Sequence, residues 1–181
     1  MLIRAGESCL LVVDVQERLV PALPGGQAVV ESCAWLMEIA NRLSVPILVS
    51  EQYPEGLGHT VSRLVDLVAE SAVMKKVHFS CFAEPTCRQR LEALGRRQIV
   101  VAGMESHVCV QQSALDLKHA GYDVFVVADA VASIRDADRD LGFLRMRDEG
   151  VRLLSRSMVA FEWLGKADTK EFRDISQRYL R

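Results

Sequence analysis

The sequence lacks the glycine-rich and phosphate-binding signatures that mark nucleotide enzymes. No Gly-x-Gly-x-x-Gly turn and no loop ending in Gly-Lys-Ser/Thr follows any of its apolar runs, and these are the motifs whose backbone amides hold phosphate groups. Its five cysteines include no Cys-x-x-Cys pair, so neither a disulfide framework nor a zinc knuckle is indicated. We therefore expect no cofactor.

An excess of positive charge is also missing. The 181 residues carry 22 Lys and Arg against 24 Asp and Glu, a formal charge of −2, which gives no general attraction for nucleic acid or an anionic membrane. The first residues do not combine a positive start with a long apolar stretch, and the longest apolar runs are too short to span a bilayer. We expect a cytoplasmic protein that binds a small-molecule substrate, and neither nucleic acid nor membrane.

What the sequence does contain is a repeated alternation of short apolar runs with amphipathic stretches at helical spacing. About six strand–helix repeats, without a break in composition, predict one α/β domain over residues 1–181. The predicted domain has three layers, with a Rossmann-like parallel sheet between helices on both of its faces. The predicted strands are 8–14, 47–50, 73–77, 98–103, 123–128 and 151–154, and the predicted helices are 27–43, 61–68, 85–94, 106–120, 136–149 and 169–179, with a further helix around Phe161.

Polar side chains gather where the predicted strands end. Asp14 and Gln16 follow the first strand, residues 51–53 follow the second, residues 76–78 lie on the third, and residues 105–109 follow the fourth. In a parallel sheet, ligands bind at the carboxyl ends of the strands, near the point where the strand order reverses. We therefore expect the chemistry of the protein at this edge.

Cys109 is the candidate nucleophile. Gly103 ends a strand and Ser106 is a suitable N-cap, which places Cys109 in the first turn of a helix. The helix dipole and unpaired N–H groups there are expected to lower the pKa of the thiol, and the same N–H groups can hold an oxyanion. On position alone, a small apolar core residue is an equal alternative. Cys9 and Cys33 are predicted to be core residues.

A nucleophilic thiol needs a base or a charged partner. His107 is a poor one, because two positions on a helix diverge by about 200°. Asp14 is a better candidate, since a carboxylate that ends an apolar strand is costly to bury unless it is paired; its alternative role is a cap for the next segment. Lys76 could pair with both Asp14 and the thiolate, although the adjacent Lys75 leaves open which lysine faces the site.

Taken together, these motifs resemble the isochorismatase-like cysteine hydrolase family. They are Asp14-x-Gln16, Lys76 and Gly103-Met-Glu-Ser-His-Val-Cys109-Val, in that order. The string Ser50-Glu-Gln-Tyr-Pro-Glu-Gly-Leu-Gly58 is similar to the isochorismatase-domain-containing branch, and the resemblance runs from about residue 8 to residue 164. It implies a six-stranded parallel sheet and a homo-oligomer, a dimer, tetramer or larger.

The same resemblance implies roles for individual residues. Cys109 would be the nucleophile, Asp14 the general base, and Lys76 the cation of an Asp–Lys–Cys triad. The family's cis peptide bond before the nucleophile would fall between Met104 and Glu105. The backbone N–H groups of Glu105 and Cys109 would then form the oxyanion hole.

Two departures from the family pattern shape the expected function. Nicotinamidase members carry an Asp and paired histidines that bind a metal after the second strand, whereas this chain has residues 51–53 there and only a distant His59, so we expect no metal. True isochorismatases do not use the cysteine, so Cys109 favours acyl chemistry. We expect hydrolysis of a small amide or related C–N bond through a Cys109 thioester, with a natural substrate that the sequence does not identify.

Alternatives remain for the function and for the substrate pocket. The chain could be a catalytically silent binding or scaffold protein of the same fold, or a redox-active thiol protein. The predicted pocket wall consists of Gln16, Leu19, Tyr53, Phe79 and Val108. The alternative for Leu19, Phe79 and Val108 is a plain core position, which is the commoner fate of apolar residues. Oligomerisation is predicted from the resemblance and from apolar residues near the end of the chain, which are Phe161, Trp163, Leu164 and Phe172.

Overall fold

The computed structural model describes residues 1–180, and its centre is a sheet of six parallel strands. The strands are β1 (Ser8–Val13), β2 (Ile47–Gln52), β3 (Val73–Lys76), β4 (Gln98–Met104), β5 (Asp123–Ala132) and β6 (Arg152–Leu154). The α-helices are α1 (Gly26–Arg42), α2 (Pro54–Leu57), α3 (Ser62–Val65), α4 (Pro85–Ala93), α5 (Gln111–His119), α6 (Asp136–Asp148), α7 (Arg156–Leu164) and α8 (Lys170–Tyr179).

The strand order is β3-β2-β1-β4-β5-β6. The chain therefore winds outward from the centre to β3, returns to the centre at β4, and winds outward in the other direction. The order reverses between β1 and β4, so the loops that leave these two strands diverge and open a crevice at their carboxyl ends. The predicted three-layer α/β fold with a parallel six-stranded sheet is confirmed.

The central strand β1 is buried on both sides because each face of the sheet carries a hydrophobic core. Leu10 and Val12 pack on the face covered by α1, α7 and α8, while Leu11 and Val13 pack on the face covered by α4, α5 and α6. All six residues of β1 are buried, which explains why its sequence is an unbroken apolar run rather than an alternating one.

The segment around Cys109 differs from the single long helix that the sequence predicts. Residues 106–110 form a π-helical turn, and α5 begins only at Gln111. The Glu105 carbonyl accepts hydrogen bonds from the amides of both Val108 (3.1 Å) and Val110 (3.2 Å), which widens this turn. Ser106 does not cap it, because its hydroxyl lies 2.5 Å from the hydroxyl of Ser133.

Smaller differences occur at the ends of other elements. β2 extends to Gln52 and β5 to Ala132, while the helix predicted over 61–68 is reduced to the single turn of α3. Trp163 is a core residue rather than a free apolar surface for oligomerisation, since its indole N–H donates to the Ser8 hydroxyl at 3.1 Å and its ring packs in the α1-side core. Within residues 1–180, no helix is both long and apolar enough to cross a membrane.

Gly103 is required where β4 passes closest to β1. Its φ of +120° lies in a region that L side chains rarely adopt, and an added Cβ would overlap the carbonyl oxygen of Val13. We expect Gly103→Ala to lower the free energy of unfolding by about 3 kcal/mol or more, since backbone strain and overpacking add.

The matched control for this prediction is Gly95→Ala. Gly95 also has a positive φ of +62°, but nothing lies within 4 Å of its added Cβ, so we expect a loss of only about 1 kcal/mol. Urea denaturation measures both variants. Equal losses would contradict the close approach of β1 and β4 at this position.

Candidate active site

Asp14 lies directly after β1, at the centre of the carboxyl edge of the sheet. Its side chain is fully buried, and its φ of 52° turns the chain out of the strand; Asp tolerates this conformation better than most residues. One carboxylate oxygen accepts from the Ser50 hydroxyl at 2.6 Å, and the other accepts from the Lys76 ammonium at 2.8 Å. The carboxylate is thus buried and paired, as its position after an apolar strand requires.

Lys76 reaches Asp14 from β3, two strands away. Its ammonium donates to Asp14 and to the side-chain oxygen of Gln52 at 2.6 Å. The carbonyls of Phe79 (3.0 Å) and His78 (3.3 Å) are its further acceptors. Burial lowers the pKa of this ammonium and is the largest single effect, but the Asp14 carboxylate together with Cys81 and Cys109 outweighs it, so the pKa lies above its ordinary value. Lys75 is exposed, because successive side chains of a strand point to opposite faces. The lysine that faces the site is therefore Lys76.

Cys109 lies beside this ion pair. Its side chain is nearly buried, with 7 % of the residue exposed, and its sulfur is 4.0 Å from the same Gln52 oxygen that binds Lys76. Burial raises the pKa of the Cys109 thiol, the Asp14 carboxylate raises it further, and Lys76 acts in the opposite direction. The prediction that the helix start lowers this pKa is wrong, because desolvation and a neighbouring anion outweigh the local dipole.

A second thiol, Cys81, is affected by the same charges. It is fully buried, and its backbone N–H donates to the Ser113 hydroxyl at 2.8 Å. Burial raises the pKa of the Cys81 thiol, Asp14 adds to the rise, and Lys76 opposes it. The sequence gave no indication of a role for Cys81, because this residue lies in an irregular loop after β3 and not in the first turn of a helix.

The last two residues of β2 face two different sides of the sheet. Gln52 points toward Cys109, whereas the Glu51 carboxylate points to the α1 face and accepts from the Thr60 amide at 2.7 Å and from the Thr60 hydroxyl at 2.9 Å. His59 lies 3.1 Å from the same carboxylate. This loop does not assemble a ligand set of the nicotinamidase kind, and in residues 1–180 no group of three or more His, Cys, Asp or Glu is placed to hold a metal.

The predicted pocket residues lie in three different settings. Tyr53 and Phe79 are more than half exposed and follow β2 and β3. Leu19 and Val108 are half-buried, Leu19 against the α1-side core and Val108 against the core that includes Cys109. Gln16 is fully buried and its amide is used within the protein: it donates to the carbonyls of Gln52 (3.0 Å) and Gly58 (2.6 Å).

Hydrogen bonds from the end of β5 support the turn before Cys109. The peptide bond between Met104 and Glu105 is cis, in the position that the resemblance implies. The Glu105 carboxylate accepts from the Ile134 amide at 2.9 Å, and His107 Nδ1 lies 2.9 Å from the Ser133 hydroxyl. Ser133 was not identified from the sequence, because only the pairing of β4 with β5 brings it to this turn.

Comparison with known proteins identifies the family of the chain. The family model described as "Isochorismatase domain" matches residues 8–158. The chain belongs to the isochorismatase family. Isochorismatase family protein 1B of Dictyostelium discoideum is 33 % identical over 172 residues, covering 93 % of this chain and 84 % of that protein. Isochorismatase domain-containing protein 2A of Mus musculus is 33 % identical over 172 residues, covering 94 % and 81 %.

Solved structures of the isochorismatase fold superimpose on nearly the whole chain. A structure described as MAR1 ribonuclease from Caenorhabditis elegans is 32 % identical, with a TM-score of 0.93 over 100 % of this chain and 93 % of that one. The YcaC gene product of Escherichia coli, described as an octameric hydrolase of unknown specificity, is 20 % identical, with a TM-score of 0.88 over 99 % and 96 %. The fold is that of an isochorismatase-like hydrolase.

The buried ion pair yields a prediction about stability. Lys76→Met leaves the Asp14 carboxylate buried without its counter-ion, and we expect a loss of about 3–5 kcal/mol in the free energy of unfolding. Asp14→Asn removes the opposite partner, and the double variant should lose clearly less than the sum of the two. Because the pKa of Lys76 is raised, the contribution of the pair is complete at neutral pH and fades only as the pH rises through that raised pKa.

A double-mutant cycle in urea at pH 7 measures this coupling. Arg4→Met, at the exposed pair of Arg4 with Glu7, is the control and should change stability by less than about 0.5 kcal/mol. Additive effects of Asp14→Asn and Lys76→Met would show that the two groups are not paired in solution.

Proposed function

We propose that the protein hydrolyses a small amide or related C–N bond, with Cys109 as nucleophile, Asp14 as general base and Lys76 as the cation of the triad. The observation that carries this proposal is the position of a nearly buried thiol beside a fully buried carboxylate–ammonium pair. Such a pair can accept a proton from the thiol without changing the net charge of the site. Membership of a hydrolase family supports the reaction class.

The first half of the reaction forms an acyl-enzyme. Asp14 takes the proton of the Cys109 thiol as the sulfur attacks the carbonyl carbon, and the oxygen becomes an oxyanion bound by the backbone N–H groups of Glu105 and Cys109. When the oxyanion collapses, the C–N bond breaks and the protonated Asp14 gives its proton to the leaving nitrogen. The product amine departs and a thioester remains on Cys109.

The second half returns the enzyme to its starting state. Water attacks the thioester carbon and gives a proton to Asp14, and collapse of this intermediate breaks the C–S bond. The proton of Asp14 returns to the sulfur and the carboxylic acid leaves. Lys76 stays charged throughout, because its raised pKa keeps the ammonium protonated.

The groups around the site favour a neutral substrate with an apolar part. The three N–H donors of Lys76 are shared among Asp14, Gln52 and the carbonyls of Phe79 and His78, so this cation is engaged and does not offer a subsite for a carboxylate. Tyr53 and Phe79 are exposed after the neighbouring strands β2 and β3, where their rings could cover an apolar substituent. We therefore propose a small uncharged amide.

The proposal is tested with a panel of small uncharged amides. We expect a thioester on Cys109, detected by mass spectrometry after acid quenching, and release of amine or ammonia. Cys109→Ser, Asp14→Asn and Lys76→Met should each lower turnover by about a hundredfold or more. Cys33→Ala, in a buried cysteine of α1, is the control and should leave turnover intact.

Other outcomes would support the alternatives to the amidase. No adduct and no turnover across the panel, with Cys109 still reactive toward alkylating agents, would support a silent binding or scaffold protein. Rapid conversion of Cys109 to sulfenic acid by peroxide, insensitive to Asp14→Asn and Lys76→Met, would support a redox thiol protein. Cleavage of a short RNA, the activity for which the C. elegans relative is described, would contradict the proposed substrate class if it needed Cys109.

We also propose that the chain forms a homo-oligomer, a dimer, tetramer or larger. Large apolar side chains remain exposed on its surface, including Phe161 of α7 and both Leu141 and Leu144 of α6, and such side chains favour association. Multi-angle light scattering at micromolar concentration should give an integral multiple of the 20.2 kDa chain mass. A monomer as the sole species would contradict this proposal.

A further inference from the structure

Gln52 is the residue through which Lys76 and Cys109 are connected. It is the last residue of β2 and lies between the strands that carry Asp14 and Lys76. Its side-chain oxygen is 2.6 Å from the Lys76 nitrogen and 4.0 Å from the Cys109 sulfur. Gln52 belongs to the polar residues 51–53 expected at the carboxyl edge of the sheet, but neither the triad nor the oxyanion hole uses it.

The orientation of the Gln52 amide is determined by its partners. An ammonium only donates and a carbonyl only accepts, so the side-chain oxygen must face Lys76 while the side-chain NH₂ donates to the Val77 carbonyl at 2.9 Å. The backbone is fixed as well, since the Gln16 amide binds both the Gln52 N–H (2.8 Å) and the Gln52 carbonyl (3.0 Å). Gln52 therefore presents an acceptor, and no donor, to the sulfur.

Hydrogen-bond counting at Lys76 shows what this acceptor does. An ammonium has three N–H donors, and this one has four acceptors around it: Asp14, Gln52 and the carbonyls of Phe79 and His78, at 2.8, 2.6, 3.0 and 3.3 Å. With all three engaged, none is left to stabilise a thiolate at Cys109. The Gln52 oxygen lies beside the sulfur with its own partial negative charge, and this also disfavours a thiolate.

We propose that Gln52 is a positioning residue that holds one hydrogen of the Lys76 ammonium away from Cys109 and thereby keeps the resting thiol protonated and slow to react. The charged and titratable groups that act on this thiol from the surrounding elements are Asp14 after β1, Lys76 on β3 and Cys81 after β3. Asp14 and Cys81 disfavour the thiolate, and Lys76 favours it. Gln52 determines whether a Lys76 N–H donates to its own side-chain oxygen or to the Cys109 sulfur.

This proposal rests on the proposed function in taking Cys109 as the nucleophile, but its test needs no substrate. The rate of alkylation of Cys109 by iodoacetamide is measured from pH 6 to pH 11 by mass spectrometry of the Cys109 peptide. Gln52→Leu removes the closest of the four acceptors, so a Lys76 hydrogen can turn to the sulfur in competition with the weaker His78 carbonyl at 3.3 Å, and the measured pKa of the thiol should fall. Gln52→Glu adds an anion beside Lys76, so that pKa should rise.

The expected effect on rate follows from thiol chemistry. Each unit by which the pKa falls raises the thiolate fraction about tenfold at neutral pH, while the lower basicity of the sulfur returns part of that gain. We therefore expect alkylation of Gln52→Leu at pH 7 to be about threefold faster for each unit by which the pKa of its Cys109 thiol falls. Gln52→Glu should be alkylated more slowly than the protein without the substitution. Gln52→Asn, whose shorter amide withdraws the oxygen, should behave like Gln52→Leu and replaces it if the leucine variant does not fold.

Gln98→Leu is the matched control. Gln98 is a buried glutamine at the other end of the sheet, where its side chain bonds to Arg4, Ser8 and Leu2. Gln98→Leu should lower the free energy of unfolding without changing the pH profile of Cys109 alkylation. The proposal would be overturned if the pH profile of Cys109 alkylation did not change in the Gln52 variants. It would also be overturned if Gln52→Leu and Gln52→Glu shifted that profile in the same direction. Opposite shifts in a protein that hydrolyses no amide would support it and reject the proposed function instead.

Discussion

The buried ion pair of Asp14 with Lys76 is the interaction on which the site depends. Neither side chain has solvent exposure, and their charged atoms are 2.8 Å apart. Transferring two charges out of water costs several kcal/mol per ion, and this cost is offset only where the remaining hydrogen-bonding capacity is also satisfied. The Ser50 hydroxyl donates a hydrogen bond to the carboxylate, and the Gln52 side chain and the Phe79 carbonyl accept hydrogen bonds from the ammonium. A thiol beside such a pair has both a proton acceptor and a cation within reach.

The topology of the sheet explains how the pair forms. Asp14 follows the central strand β1, and Lys76 ends the edge strand β3, with β2 between them. Neighbouring strands lie about 4.8 Å apart, so a long side chain is needed to cross β2, and lysine supplies it. The two β2 side chains on the same face, Ser50 and Gln52, lie under this crossing and provide its hydrogen bonds. Cys109 approaches from the other neighbour of β1, after β4.

Much of this could be predicted from the sequence because strands buried on both faces read as unbroken apolar runs. The apolar runs at β1 and β4 predicted strands buried on both faces, and the polar residues after them indicated where to expect the site. The choice between Lys75 and Lys76 could not be made, since it depends on which face of an edge strand meets the core. Cys81 and Ser133 were missed, and Gln52 was given no individual role, because tertiary packing and strand pairing, not local sequence, bring these residues to the site. The pKa direction of Cys109 was wrong because a helix start is a local feature, whereas desolvation and the Asp14 charge arise from tertiary packing.

We conclude that the resting Cys109 thiol is neutral and transfers its proton to the buried pair only during reaction. Infrared difference spectroscopy of the protein against Cys109→Ser measures this state directly, through the S–H stretch of the Cys109 thiol at neutral pH. We expect a difference band from a protonated thiol, which disappears when Cys109 is acylated. Absence of that band at neutral pH would mean a resting thiolate and would overturn this conclusion.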